Sequence, residues 1–171
     1  EICGLYENPK IKALINIAHG EGFGLPMFEA AQRGLPVIAP SWGGQVDFLY
    51  AMTEEKRKKG KKPKVYNKAH FATVEYVIQP VPRRVVWDGV LIADSMWCYP
   101  NEGNYKSKLR EVYKEHGKYK KLAKNLQKHL KQNFTEKKQY KMFADSCLSV
   151  CDHVPNEEVD QLFNKMVANN K

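Results

Sequence analysis

Residues 13–44, ALINIAHGEGFGLPMFEAAQRGLPVIAPSWGG, decide the fold. Ala13 to Ala18 is a short apolar run with β-branched residues, the composition of a strand buried on both faces. The glycine-rich turn HGEGFGLP follows it. A helix is predicted to begin near Leu25 or Pro26, because proline is tolerated in a first turn. Met27, Ala30 and Ala31 would face a sheet, and Gly34 would close the helix at its C-terminal end. Leu35 to Ala39 reads as a second buried strand, stopped by Pro40. Two parallel strands joined by a helix need a right-handed crossover, so the stretch reads as a βαβ unit. Ser41 to Gly44 is a turn, and Gln45 to Met52 is expected to begin another helix.

Outward from this unit the pattern changes. Val74 to Pro80 alternates like a strand, and Val85 to Ala93 is expected to contain one or two more. Trp97 and Tyr99 precede a turn, Pro100 to Gly103. From there helices are predicted over 104–116, 118–132 and 136–151, with Thr135 as N-cap of the third. A final helix is expected after Pro155, its stripe formed by Val159, Leu162, Phe163, Met166 and Val167. The first half is thus α/β and the second helical, without internal repeats.

The chain has 171 residues and a formal charge of +9, with 43% hydrophobic residues, which excludes a disordered composition. No apolar stretch is long enough for a membrane-spanning helix. The opening EICGLYENPK lacks a basic segment followed by an apolar run, so no secretory leader is expected. The four cysteines are too sparse for a disulfide framework and form no CxxC pair. Cys147 and Cys151 are expected as small buried hydrophobes on one helix face, consistent with a reducing, cytoplasmic setting.

Two segments carry the positive charge. Residues 54–68 hold eight Lys/Arg and two Glu, and residues 106–141 hold thirteen Lys/Arg and three Glu. The first, interrupted by Gly60 and Pro63, reads as a solvated loop. In the second, Leu122, Leu126 and Leu130 recur at helical spacing, with lysines on the outward face. No nucleic-acid-binding motif accompanies either run, so specific nucleic-acid recognition is not expected. Weak contact with an anionic polymer or membrane surface, with the protein peripheral to that membrane, fits the charge better.

The turn HGEGFGLPMFE, residues 19–29, carries the chemistry. Gly20, Gly22 and Gly24 alternate, but this is not G-x-G-x-x-G, because position 25 is Leu. The next strand also ends without an acidic residue, which argues against an NAD site. A turn bare of side chains lets backbone amides approach a ligand, and the following helix directs its N-terminal N–H groups there. That suits a phosphate or diphosphate. Glu21 stands at the mouth of the turn and Glu29 in the helix, both able to face one crevice at the strands' carboxyl ends. A carboxylate accepts two hydroxyl donors, the way a sugar or ribose diol is held. A surface Glu21 and a helix-facing Glu29 without any ligand remain the alternative on the residues alone.

The segment EGFGLPMFEAAQRGLPVIAPSWGGQVDFL closely resembles the donor-binding region of retaining GT-B glycosyltransferases of the family-four type. Their hallmark is Glu-x7-Glu within a pattern like EGFGLPxxEAxxxGxPVIAxxxGGxxE. Glu21 and Glu29 fall at the two glutamates, Gly22 to Pro26 at the core, and Gly34 to Ala39 at the next strand. Gly43 and Gly44 match the later glycine pair, and Asp47 stands where the family has Glu. Beyond residue 50 the match is loose.

The resemblance implies a Rossmann-like parallel sheet with flanking helices, the C-terminal half of a GT-B fold without its first elements. The donor-binding domain would span 1–150, with a Lys-rich insertion at about 53–72, and 151–171 would form a C-terminal helix. Glu29 would bind ribose hydroxyls, and Glu21, the catalytic candidate, the hydroxyls of the transferred sugar. Phe23, Gly24 and Leu25 would offer amides to sugar and diphosphate, and Gly43 and Gly44 would form a second backbone approach or merely a tight turn. His19, beside Glu21, is expected to be structural. The implied donor is a UDP- or GDP-sugar, with hexosyl transfer at retained configuration and neither metal nor cofactor. The acceptor, a saccharide or other hydroxyl, would bind an N-terminal domain not in this sequence. The family's basic pair for the leaving diphosphate has no match here, Arg33 included. The chain alone is therefore expected to bind donor weakly or not at all and to transfer nothing. A non-catalytic GT-B-like module serving binding or assembly is the alternative, and a sugar-nucleotide epimerase of the same fold a third reading.

Overall fold

The structure, a computed structural model, describes residues 2–55 and 63–150, together with 157 and 161. The chain divides into two units, Glu1–Gln132 and Asn133–Lys171. The first is a mixed α/β unit built on a small parallel sheet. Helix α1 (Ile2–Glu7) precedes strand β1 (Leu14–Ile15), helix α2 (Leu25–Gln32) and strand β2 (Val37–Pro40). After α3 (Val46–Leu49) come β3 (Tyr50–Glu55), β4 (Lys64–Ala69), β5 (Ala72–Val74) and β6 (Tyr76–Pro80). A single 3₁₀ turn, Arg83–Val85, leads toward β7 (Met96–Pro100), α4 (Glu102–Lys114) and α5 (His116–Asn133). Helix α6 (Glu136–Val150) belongs to the second unit.

The parallel sheet has the order β1-β2-β5, with Leu14 opposite Val37 and Ile38 opposite Ala72. The expected β1–α2–β2 order is present, though β1 is confined to two residues. Its edge is continued by a single bond, Asn16 N–H to the Ile38 carbonyl at 3.0 Å. Residues 37–40 are buried throughout, as a central parallel strand requires. Met27, Ala30 and Ala31 form the buried stripe of α2. On the sheet, Ile38, Ala72 and Val74 pack with Val112 and Tyr119, and Leu109 and Leu122 border this cluster.

Helix α2 ends as its sequence predicts. Gly34 takes a φ of +66°, its N–H bonds the Ala31 carbonyl, and the Leu35 N–H reaches back to Ala30 at 3.0 Å. Two side chains of α5 complete this end. Lys120 Nζ donates to the Gly34 carbonyl at 2.9 Å, and Gln127 Nε2 to the Gln32 carbonyl at 2.8 Å. A cation at a helix C-terminus is also favoured by the helix dipole. Otherwise the lysines of α5 lie outward as expected: Lys118, Lys121, Lys124 and Lys128 are exposed, while Ala123, Leu126 and Leu130 are buried.

Several expectations are corrected. The helix expected over Gln45 to Met52 is four residues long, and Tyr50 onward is strand. The two ends of the Lys-rich segment are strand rather than loop, with Tyr50 opposite Ala69 and Glu55 opposite Lys64. Tyr50, Thr53, Val65 and Tyr66 suit an extended chain, and a six-residue antiparallel ladder outweighs weak helical propensity. Residues 56–62, at the centre of that expected loop, lie outside the described residues.

Val74 to Pro80 is two strands rather than one. The chain leaves the parallel sheet at Glu75, whose backbone N–H bonds Asn104 Oδ1 and whose carbonyl accepts from Asn101. Strand β6 then pairs antiparallel with β7, Tyr76 opposite Pro100 and Pro80 opposite Met96. Val85 to Ala93 forms no named strand. It contains an isolated pair, Trp87 with Leu91, closed over Gly89 at φ +76°. Helix α4 starts two residues earlier than predicted, because Asn101 is its N-cap and accepts the Asn104 N–H at 2.8 Å. Thr135 caps α6 through its hydroxyl and the Lys138 N–H, 3.4 Å apart. Cys147 is exposed rather than buried, and it is a free thiol. Cys151 and the helix stripe expected after Pro155 lie outside the described residues.

Helices α4 and α5 are clamped by Glu111. Its carboxylate accepts from Lys108 at 2.8 Å, from the Tyr119 hydroxyl at 2.5 Å and from Lys118 at 3.2 Å. Chiefly through the Lys108 bond, and then the Tyr119 hydroxyl, its carboxyl group is lowered to about 2. Burial and the Glu111 bond push the Tyr119 phenol up to about 12. A carboxyl lowered in the folded state stabilises above its unfolded value and loses that contribution as acid protonates it. Glu111→Gln is therefore expected to cost about 1–2 kcal/mol at pH 7, after allowance for solvent screening. The difference from the parent should shrink as pH falls from 4.5 toward about 2, measured by urea denaturation at each pH.

Candidate functional site

Two glycine turns follow β1 and β2, and both therefore lie at the carboxyl ends of parallel strands. They touch through backbone. The Gly44 N–H donates to the Glu21 carbonyl at 3.1 Å, and a Cβ on Gly44 would stand 1.9 Å from the Gly22 carbonyl oxygen. Gly43, at φ +89°, would bring a Cβ to 2.8 Å from the Glu21 carbonyl oxygen. The Gly43–Gly44 pair is thus required by close contact with the first turn.

Within the first turn the glycines differ. Gly24 is the N-cap of α2 at φ +88°, and a Cβ there would meet Met27 and Gln45. Gly20 and Gly22 have no positive φ, are exposed, and have open space where a side chain would be. Packing explains the glycine at 24, 43 and 44; it does not explain those at 20 and 22.

Glu21 is half-buried and fixed by two donors. Its Oε1 accepts the Gly24 N–H at 3.0 Å, and its Oε2 accepts Asn16 Nδ2 at 3.1 Å. The carboxylate therefore caps the helix whose first glycine lacks a capping side chain. A carboxylate has about four acceptor positions, so two remain for other donors. Asn16 also takes the Ala18 N–H at 2.9 Å, folding the turn back on itself. It is the single polar residue in the run 13–18, and that is the signal by which the sequence marks it.

Glu29 lies in α2 and is half-buried; the Tyr6 hydroxyl of α1 donates to its Oε2 at 3.3 Å. The two glutamates are thus held by different elements, one by the turn and one by the preceding helix. No feature of the sequence near Tyr6 announces that contact. Leu25 and Phe23 are exposed, and the Phe23 ring meets Phe28 and Phe48 at 5.4 and 5.2 Å. Asp47 is exposed in the first turn of α3, and Arg33 pairs with Glu7 at 3.4 Å.

His19 is structural in its contacts. Its Nδ1 lies 2.8 Å from the Cys98 carbonyl, and its own carbonyl accepts the Cys98 N–H at 2.9 Å. The imidazole stacks on Trp97 with centroids 4.9 Å apart and touches Tyr99 at 4.6 Å. Strand β7 is in this way tied to the glycine turn, a link the sequence does not reveal because the two are 79 residues apart.

Beneath both turns, Gln45 is buried. Its Nε2 donates to the Pro40 carbonyl at 3.1 Å, while its Oε1 has no hydrogen-bond partner among the described residues. Above β2, Ser41 Oγ and the Tyr50 hydroxyl are 2.8 Å apart, and the Tyr76 hydroxyl donates to the Ser41 carbonyl. Trp42 and Tyr76 form an aromatic pair beside Gly43, centroids 6.1 Å apart.

Two cavities, about 400 and 390 Å³, lie along β1 and before it, and neither is lined by Glu21, Glu29 or the turn glycines. Among the described residues no group of three or more His, Cys, Asp or Glu is arranged to hold a metal ion. Among them, too, no helix is long and apolar enough to cross a membrane. Compared with protein-family models, curated proteins and solved structures, the chain matches none.

Proposed function

We propose that the chain is the donor-binding part of a retaining glycosyltransferase with a Rossmann-like GT-B architecture. In this reading it holds a nucleotide diphosphate sugar, a UDP- or GDP-sugar, for transfer of a hexosyl group. One observation carries the reading. Gly20 and Gly22 leave bare backbone where the fold has room for side chains, on either side of a carboxylate already oriented by two donors. A surface shaped by packing alone has no need of those two glycines. Support also comes from the dense match of residues 21–49 to the Glu-x7-Glu pattern, and from the position of both turns at the strands' carboxyl ends.

In this reading the free acceptor positions of Glu21 take hydroxyls of the sugar. Glu29 takes ribose hydroxyls in exchange for the Tyr6 hydroxyl, whose 3.3 Å bond is long enough to be replaced readily. The Leu25 and Met27 amides at the start of α2 face the diphosphate, where the helix dipole favours negative charge. Transfer then needs an acceptor site and a further positive charge for the leaving group.

A non-catalytic binding or assembly module is favoured by a different observation: both glutamates already have partners within the protein, so a structural role accounts for each. The two readings separate by experiment. Amide spectra of the chain titrated with UDP-glucose and with GDP-mannose should show weak, saturable shifts at Gly20, Gly22 and Leu25 for one donor. Glu29→Ala and Gly22→Val should each remove them while circular dichroism stays unchanged. Donor shifts that spare the turn, or that survive both substitutions in the folded chain, favour the module.

A further inference from the structure

We propose that a cavity at the amino ends of β1 and β2 binds a phosphate-type oxyanion, free or as the end group of a phosphomonoester. It is separate from the glycine turns, because residues entering parallel strands lie at the opposite end of the sheet from those leaving them. Its volume is about 390 Å³, and it lies between α1, the segment leading into β1, the end of α2 and the start of α5.

Lys12, Arg33 and Lys120 all line this cavity, and among the described residues Glu7 is the one carboxylate that does. Two of the three cations are held by neutral groups. Lys12 Nζ donates to the Pro9 carbonyl at 2.6 Å, and Lys120 Nζ to the Gly34 carbonyl at 2.9 Å. Carbonyls fix an ammonium without cancelling its charge, so positive charge accumulates in the concavity. The Arg33 guanidinium lies 3.4 Å from Glu7 and adds a third positive charge to the lining, on a group whose planar geometry suits oxyanions.

The crowding is visible in Lys120. Its ammonium is held below the usual lysine range, first by burial and then by the charges of Lys124 and Lys12. A bound anion would relieve this repulsion. His116 shapes the floor: a carbonyl can only accept, so its Nε2 carries a hydrogen toward the Lys12 carbonyl, 3.2 Å away. That bond joins the start of α5 to the segment before β1. The cavity exceeds the volume of one phosphate group, leaving room for a small organic substituent.

The test is titration of the ¹⁵N-labelled chain with sodium phosphate and, separately, glycerol 3-phosphate at constant ionic strength, with sodium chloride as control. Saturable amide shifts at Lys12, Gly34 and Gly117 are expected with at least one anion. Phosphate alone producing them identifies the free ion as ligand; glycerol 3-phosphate alone identifies the phosphomonoester. Lys120→Met and Arg33→Gln should each weaken binding about tenfold, the loss of one charge-assisted contact. Lys120→Met also removes a helix cap, so circular dichroism accompanies it, and the more exposed Arg33→Gln stays informative if that variant unfolds. Shifts that never saturate, that run instead along Lys121, Lys124 and Lys128, or that survive Arg33→Gln in folded protein overturn the proposal.

Discussion

Phe48→Ala should destabilise the chain by about 3–5 kcal/mol, a large share of the total stability of an ordinary domain. Phe48 is fully buried, the largest side chain so placed among the described residues. Its ring lies 5.1 Å from Phe28 and 5.2 Å from Phe23, so it joins α2, α3 and the glycine turn in one aromatic cluster. Truncation loses the transfer energy of the ring and leaves a void that neighbouring backbone cannot close. It also releases Phe23, which is half-exposed and has its aromatic support only from this cluster among the described contacts. Phe48→Leu keeps most of the volume and should cost about 1–1.5 kcal/mol. Urea midpoints at constant slope measure both. A Phe48→Ala loss below about 1 kcal/mol would mean that the three rings do not pack as described.

Gly44→Ala should be nearly as damaging, at about 3 kcal/mol, for a different reason. Its Cβ would fall 1.9 Å from the Gly22 carbonyl oxygen and 3.0 Å from the Phe23 Cα. Both neighbours are backbone, so no rotamer change relieves the overlap and the two turns must separate. Their separation breaks the bond from the Gly44 N–H to the Glu21 carbonyl and leaves polar groups to find new partners. Gly22→Ala provides the contrast. Its Cβ would enter open space at an ordinary φ, and stability should change by less than about 0.5 kcal/mol. If both alanine variants melt alike, the contact between the turns is not what requires the second glycine pair. The contrast also separates stability from binding: Gly44 acts on the fold, and Gly22 is proposed to act on the ligand.

The parts of this structure that depend on neighbours in the chain were legible in the residues. The limits of α2 follow from Pro26 in its first turn and Gly34 after its last, where a left-handed residue is needed. The helices α4 to α6 follow from apolar spacing and from caps such as Thr135. The presence of a turn with special backbone at 19–24 followed from the glycines themselves. Which of those glycines the fold requires did not follow, since Gly20, Gly22 and Gly24 are identical in sequence and differ only in what stands beside them.

What the tertiary structure alone decided concerns pairing between distant segments. Tyr50 to Glu55 is strand because Lys64 to Ala69 lies beside it, and local propensity is too small to outweigh a shared ladder of hydrogen bonds. The split of Val74 to Pro80 at Glu75 is imposed by Asn101 and Asn104 at the start of α4. His19 depends on β7, Glu29 on a tyrosine in α1, and the end of α2 on Lys120 and Gln127 in α5. Each of these contacts joins residues between 23 and 95 positions apart. Spacing along a chain encodes which face of a helix or strand a side chain occupies; the partner that meets that face is chosen only when the elements pack.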